Sequence, residues 1–110
     1  MNYTSGMLKL ERWNPATDGA FSPQALQAKL EAMGYRVTTY VYPPGTYFGP
    51  HTHDLDKIDA VIQGRFRISM GVDSAVLQSG EWIFVPRGAE HSAEVVGLET
   101  VVSLDALRVR

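Results

Sequence analysis

The stretch GTYFGPHTHDLDKIDAVIQG, residues 45–64, decides how the rest of the chain is interpreted. It contains His51 and His53, which are separated by a single residue. On an extended strand this spacing directs both imidazoles to the same face, because successive side chains alternate. A later stretch, GEWIFVPRGAEH at residues 80–91, ends at His91, the third and last histidine of the chain. Neutral imidazoles are common transition-metal ligands, so the sequence predicts a metal site that draws on both stretches.

The composition narrows the class of protein. The chain has 110 residues, a formal net charge of −2 and no cysteine. This length fits one domain with one core. The charge offers no basic surface for nucleic acid, and the missing cysteines exclude disulfides, thiolate metal ligands and a cysteine nucleophile. The first 13 residues contain no apolar run suited to a signal sequence or a membrane span. These features predict a cytoplasmic protein with neither a nucleic-acid nor a membrane partner.

One helix is predicted near the N-terminus, at about residues 22–33. Ser22 is a good N-cap, and Pro23 fits the first helical position, where its missing N–H costs nothing. Apolar residues then recur at helical spacing until Gly34, which can end the helix in a left-handed conformation. We expect this helix to be a packing element.

From Tyr35 onward the pattern changes to the two-residue period of β-strands, with Gly or Pro between the segments. Strands are predicted at 35–42, 58–62, 65–70, 74–77, 81–85, 90–96 and 99–107, after a short strand at 7–13 and a turn at Asn14-Pro15. Many short strands at such spacing predict an all-β protein, either a sandwich or a small barrel.

The two histidine-containing stretches together resemble the two sequence motifs of the cupin superfamily. The matching residues are Gly45, His51, Thr52, His53 and Gly64 for the first motif and Gly80, Pro86, Arg87, Gly88 and His91 for the second. The resemblance implies a jelly-roll β-barrel with a divalent metal ion held inside it by histidines. It also implies one cupin domain over residues 1–110, with an arm and helix at 1–34 and the barrel at 35–107, and a homodimer.

The resemblance implies that His51, His53 and His91 are the metal ligands. Where cupins usually have a ligand glutamate, this chain has Lys57. An ammonium group repels a divalent cation and is a poor ligand. Asp59 shares the face of Lys57 in an unbulged strand, so it could pair with Lys57 or reach the metal. The fourth ligand is thus water, a substrate or Asp59. Imidazoles suit Fe, Zn, Ni and Cu alike, and the sequence does not distinguish these metals from Mn.

Lys57 has a structural and a functional interpretation. It is a surface lysine or one half of an ion pair, worth about 0–1 kcal/mol when exposed, or it binds an anionic substrate near the metal. Lys57, Asp59 and Tyr47 are the candidates for catalytic groups near the histidines. The variant Lys57→Glu is expected to keep the fold and to tighten metal binding, because it restores the carboxylate of the family.

Three functions remain open at this point. The first is a metal-dependent dioxygenase, isomerase or lyase that acts on a small organic acid or diketone. The second is a non-catalytic protein that binds or senses a small molecule in the same pocket. The third is a structural cupin whose metal only stabilises the barrel. Open metal positions beside an acid or a base would favour the enzyme.

Overall fold

The computed structural model describes residues 8–109, which form nine strands and two helices. In chain order the elements are β1 (Leu10–Arg12), α1 (Pro15–Asp18), α2 (Pro23–Ala32), β2 (Tyr35–Tyr42), β3 (Tyr47–His51), β4 (Lys57–Gln63), β5 (Arg65–Met70), β6 (Asp73–Leu77), β7 (Glu81–Val85), β8 (His91–Val96) and β9 (Val101–Arg108). Within this range neither helix has the length and apolar character needed to cross a membrane.

The strands form two antiparallel sheets that face each other. One sheet has the order β1-β7-β4-β9-β2, and the other has the order β3-β8-β5-β6. Neighbouring strands are mostly distant in the chain, as in a jelly roll, where the chain passes repeatedly from one sheet to the other. The predicted all-β jelly-roll class is confirmed.

The predicted helix is confirmed as α2, and a second, shorter helix that was not predicted precedes it. The hydroxyl of Ser22 accepts a hydrogen bond from the backbone N–H of Ala25, so it is the N-cap of α2. The turn predicted at Pro15 is instead the four-residue helix α1, which Asn14 caps. The predicted strand at 7–13 corresponds to β1, and its first residue, Met7, lies outside the described residues.

Strand β4 is buried on both faces and separates two apolar clusters. Ile58 and Ala60 point outward and pack in the cluster beneath α2. The alternate residues Lys57, Asp59 and Val61 point inward toward the second sheet. Val61 joins the apolar core there, whereas Lys57 and Asp59 line a cavity. The interior between the sheets is therefore part apolar and part polar.

Candidate metal centre

The three histidines converge at one edge of the second sheet. His51 ends β3 and lies directly opposite His91, the first residue of β8. The distances between ring centroids are 4.3 Å for His51–His91, 4.8 Å for His51–His53 and 5.1 Å for His53–His91. One ligand atom from each of the three lies within 4.8 Å of the others. This spacing is short enough for three imidazoles to contact one ion.

The route by which His51 and His53 meet differs from the prediction of a regular strand. β3 ends at His51, and its pairing with β8 is irregular between Phe48 and His51. His53 lies beyond the strand, where its carbonyl accepts a hydrogen bond of 2.9 Å from the backbone N–H of Gly88. The loop that follows β7 therefore holds His53 in place, and strand alternation alone does not.

Backbone contacts fix the tautomers of two of the rings. The Nδ1 atom of His51 lies 2.7 Å from the carbonyl of Gly49, and that of His91 lies 3.1 Å from the carbonyl of Ala89. A carbonyl oxygen only accepts, so each Nδ1 carries the proton and donates it. The lone pair of each ring is then on Nε2, which is free to bind a metal ion. Such outer hydrogen bonds typically orient metal-binding histidines.

The third ring carries an unsatisfied atom. Nε2 of His53 is buried and has no hydrogen-bond partner among the described residues. Leaving a buried polar nitrogen unpaired costs about 1–3 kcal/mol, so such atoms usually have a partner such as an ion. This nitrogen, in contact range of two oriented imidazoles, fits a transition-metal ion.

Burial and charge keep the rings of His53 and His91 in the form that binds metals. Burial lowers the pKa of His53, and the positive charge of Lys57 lowers it further. Burial also lowers the pKa of His91, although its hydrogen bond to Ala89 opposes the shift. Both imidazoles are therefore neutral at physiological pH, and neutral imidazole is the ligand form.

Lys57 is buried in an ionic cluster with two aspartates. Its Nζ atom lies 3.1 Å from Oδ1 of Asp59 and 2.9 Å from Oδ2 of Asp105. Asp59 and Asp105 face each other directly across β4 and β9, a position in which like charges repel. Burial alone would lower the pKa of Lys57, but attraction to Asp59 and Asp105 raises it above its usual value. Lys57 is thus a buried ammonium group between two carboxylates.

These observations decide between the interpretations of Lys57. The interpretation of Lys57 as a surface lysine is wrong, because only 4% of the residue is exposed. The ion pair is confirmed, but it is a buried one with two partners, so the value for an exposed pair does not apply. The raised pKa also makes Lys57 unsuited to coordinate a metal.

A cavity of about 170 Å³ joins this cluster to the histidines. Its walls are Tyr42, Phe48, His51, His53, Lys57, Asp59, Phe66, His91, Ala93 and Asp105. The aromatic wall is ordered by ring contacts, with the centroid of Tyr42 lying 5.5 Å from that of Phe66 and 5.0 Å from that of Phe48. Burial, aided by the charges of Asp105 and Asp59, raises the pKa of Tyr42 to about 12. The Tyr42 hydroxyl therefore stays protonated.

The candidates for catalytic groups separate in the structure. Lys57 and Asp59 line the cavity beside the histidines, whereas Tyr47 is 62% exposed and is not among the lining residues. Tyr42 is the tyrosine that faces the cavity. Asp105 was not predicted from the sequence. Its only signal is that it is the single acidic residue in the otherwise largely apolar strand β9.

A family model described as the cupin domain matches residues 38–107. The chain belongs to the cupin family. The predicted resemblance is thereby confirmed, and the match lies inside the barrel predicted at 35–107.

Two curated relatives resemble this cupin at similar levels. Nitrosourea synthase of Streptomyces achromogenes subsp. streptozoticus is 29% identical over 82 residues, which make up 74% of this chain and 17% of the synthase. An uncharacterized protein of Streptomyces coelicolor is 29% identical over 83 residues, which make up 76% of this chain and 74% of that protein. The match to the synthase thus concerns a minor part of a much longer protein.

A solved structure extends the likeness to almost the whole chain. KdgF from Halomonas sp. superposes with a TM-score of 0.60 and covers 99% of this cupin and 87% of its own chain. The two sequences are 17% identical, so the likeness shows the fold alone.

Proposed function

We propose that this cupin binds one divalent transition-metal ion through Nε2 of His51, His53 and His91, and that its cavity holds a small organic ligand against the ion. The observation that carries this proposal is the buried, unpaired Nε2 of His53 beside two rings whose lone pairs are also on Nε2. Imidazole ligands suit Fe, Zn, Ni and Cu, and the site does not distinguish these metals from Mn. Asp59 is engaged with Lys57, so we assign the remaining metal positions to water or the ligand.

An enzyme of the dioxygenase, isomerase or lyase type is the function that we favour. Structural metal sites are closed by four protein ligands, whereas three histidines beside a cavity leave positions open. A bound divalent ion would act as a Lewis acid on the ligand. The protein would supply orientation through the wall formed by Tyr42, Phe48 and Phe66, and the protonated Tyr42 hydroxyl could donate a hydrogen bond.

A non-catalytic ligand-binding protein is the second candidate. Lys57 and the two aspartates that line the cavity are engaged with one another, and the pKa of Tyr42 is about 12. Lys57, Asp59 and Asp105 are therefore paired and Tyr42 is protonated, so none of these four cavity residues is a free general base. Turnover of candidate organic acids and diketones by the metal-loaded protein would separate an enzyme from a binding protein.

Metal analysis tests the proposal directly. The wild-type protein, purified without chelators and supplied with each divalent metal in turn, should retain close to one ion per chain by mass spectrometry. His51→Ala, His53→Ala and His91→Ala should each lose the ion while remaining folded by circular dichroism. Thr52→Ala alters an exposed residue between the two ligands and should keep the ion. A wild-type protein that binds none of these metals would contradict the proposal.

We also propose that this cupin forms a homodimer by pairing β2 of two copies. β2 is an edge strand, and Arg36 is its only charged residue. The N–H of Arg108 on β9 donates to Asp56, away from β2. Alternation along both strands therefore points the backbone groups of Val37, Thr39 and Val41 to the open edge. Two copies related by a twofold axis at Thr39 would pair these groups antiparallel, with no like charges opposite each other.

A proline variant distinguishes this edge from other surfaces. Thr39→Pro removes an N–H that makes no bond within its own sheet, so the subunit should fold but stay monomeric in light scattering. Thr39→Val keeps the N–H and should dimerise like the wild type. A monomeric wild-type protein, or a dimeric Thr39→Pro, would contradict the β2 interface.

A further inference from the structure

The ionic cluster of Lys57, Asp59 and Asp105 has one hydrogen-bond donor to spare. An ammonium group carries three N–H donors, and the two aspartates accept two of them. Among the described residues no third acceptor for Lys57 is found. A buried charged donor without a partner is unfavourable. Lys57 lines the cavity that also contains the three histidines, so a ligand in that cavity can supply the missing acceptor.

The charges of the cavity indicate what that ligand is. Lys57 contributes +1, and the two aspartates contribute −2, so the cluster sums to −1. An imidazole that binds a metal through its lone pair carries no net charge, so a divalent ion held by the three histidines would bring the total to +1. Charge is costly in a buried site, so a ligand with a single negative charge would be favoured over a neutral one or a dianion.

The position of Lys57 has a consequence for the metal. Where most cupins would place a carboxylate on the ion, this chain keeps its negative charge in a cluster to one side of it. A metal position that a protein carboxylate would fill is thereby left for a ligand. The ammonium group adds a donor within the same cavity.

We infer that the cavity selects a small monoanion that binds the metal with one acceptor atom and accepts a hydrogen bond from Lys57 with another. Carboxylates and enolates are of this class. The inference rests on the proposed three-histidine metal site. The wall of Tyr42, Phe48 and Phe66 would contact the apolar part of the ligand.

Acetate and acetamide test this inference, because they are nearly equal in shape and differ in charge. Cobalt(II)-loaded protein is titrated with each, and binding is followed by the visible absorption of the ion. The critical variant is Lys57→Met with Asp59→Asn, which removes the ammonium but keeps the cluster at −1 through the partly exposed carboxylate of Asp105. Hydrogen bonds to charged groups contribute about 1.5–3 kcal/mol, so the preference for acetate over acetamide should fall about tenfold or more.

The single variant Asp105→Asn should change acetate binding in the opposite direction, and it keeps Lys57 paired with Asp59. It raises the charge of the cluster from −1 to zero, so acetate should bind more tightly than to the wild type. An acetate preference that is unchanged in both variants, with cobalt still bound at one ion per chain, would overturn the inference and leave the proposed function intact. A wild-type protein that binds no cobalt and no other divalent metal would overturn both.

Discussion

Ile83, Asp59 and Asp105 are neighbours in one row across β7, β4 and β9, yet they face different surroundings. Ile83 is fully buried in the apolar half of the interior. This half consists of the inward residues of β5, β6 and β7 together with Val61 and Val101. The two aspartates belong to the polar half, which consists of the ionic cluster and the three histidines. One row of one sheet thus contains both environments.

The apolar half stabilises the fold, whereas the polar half contains the groups that could bind a metal and a ligand. Burying the ions and imidazoles of the polar half is unfavourable unless every charge is paired. The apolar half contributes the hydrophobic burial that offsets this cost. Substitutions in the two halves should therefore have effects of different kinds.

The largest effect is expected from Lys57→Glu in the polar half. It would place three carboxylates in one buried cluster, so the free energy of unfolding should fall by about 3–5 kcal/mol in urea titrations of the metal-free protein. The sequence alone predicted an intact fold and tighter metal binding for this variant. In the structure, however, the buried Asp59 and the partly exposed Asp105 both contact Lys57, and both would repel the new carboxylate. Arg67→Glu breaks the exposed pair with Glu94 and should cost only about 1 kcal/mol or less. Equal losses of unfolding free energy in the two variants would show that the buried cluster contributes no more to stability than an exposed ion pair.

Leu77→Ala in the apolar half should have the next largest effect. Leu77 is fully buried on β6, which lies at the opposite edge of its sheet from β3. Removing its side chain leaves a cavity and should lower the free energy of unfolding by about 2–5 kcal/mol. Because no proposed metal ligand contacts β6 in the ladder, the folded variant should still retain one ion per chain. Loss of the ion from folded Leu77→Ala would mean that the two halves are coupled.

Local signals explain why much of the apolar half could be predicted from the sequence. The bounds of β2, β5 and β7 agree with the prediction, because alternation and flanking Gly or Pro mark them within a few residues. No bounds were predicted for β3, although His51 and His53 were expected on an extended strand, because Gly49-Pro50 is typical of a loop. It becomes a strand only by irregular pairing with β8, whose residues lie 40 or more positions later in the sequence.

The polar half depends more on contacts between distant residues. His51, His53 and His91 could be grouped from the sequence because a family spacing links them. Asp105 could not, since its role arises only when β9 pairs with β4 and brings it opposite Asp59, 46 positions earlier in the sequence. Burial of Lys57 has the same origin.

The smallest effect is expected in the pH dependence of the metal-free protein. Burial lowers the pKa of His53 and of His91, whereas both are near 6.5 in the unfolded chain. Between these values the unfolded state binds more protons, so the stabilising contribution is complete above about pH 6.5 and is lost as the pH falls toward the folded pKa.

The double variant His53→Gln with His91→Gln isolates this contribution, because it keeps polar side chains that do not titrate. Urea unfolding at about pH 7.5 and about pH 5.5, on either side of the unfolded histidine pKa, should show a smaller loss for the variant than for the wild type. Carboxylates titrate in both proteins, so only the difference between the two losses reports on the histidines. An equal loss would mean that the pH dependence originates outside His53 and His91, whereas a smaller loss in the variant would assign it to these two rings.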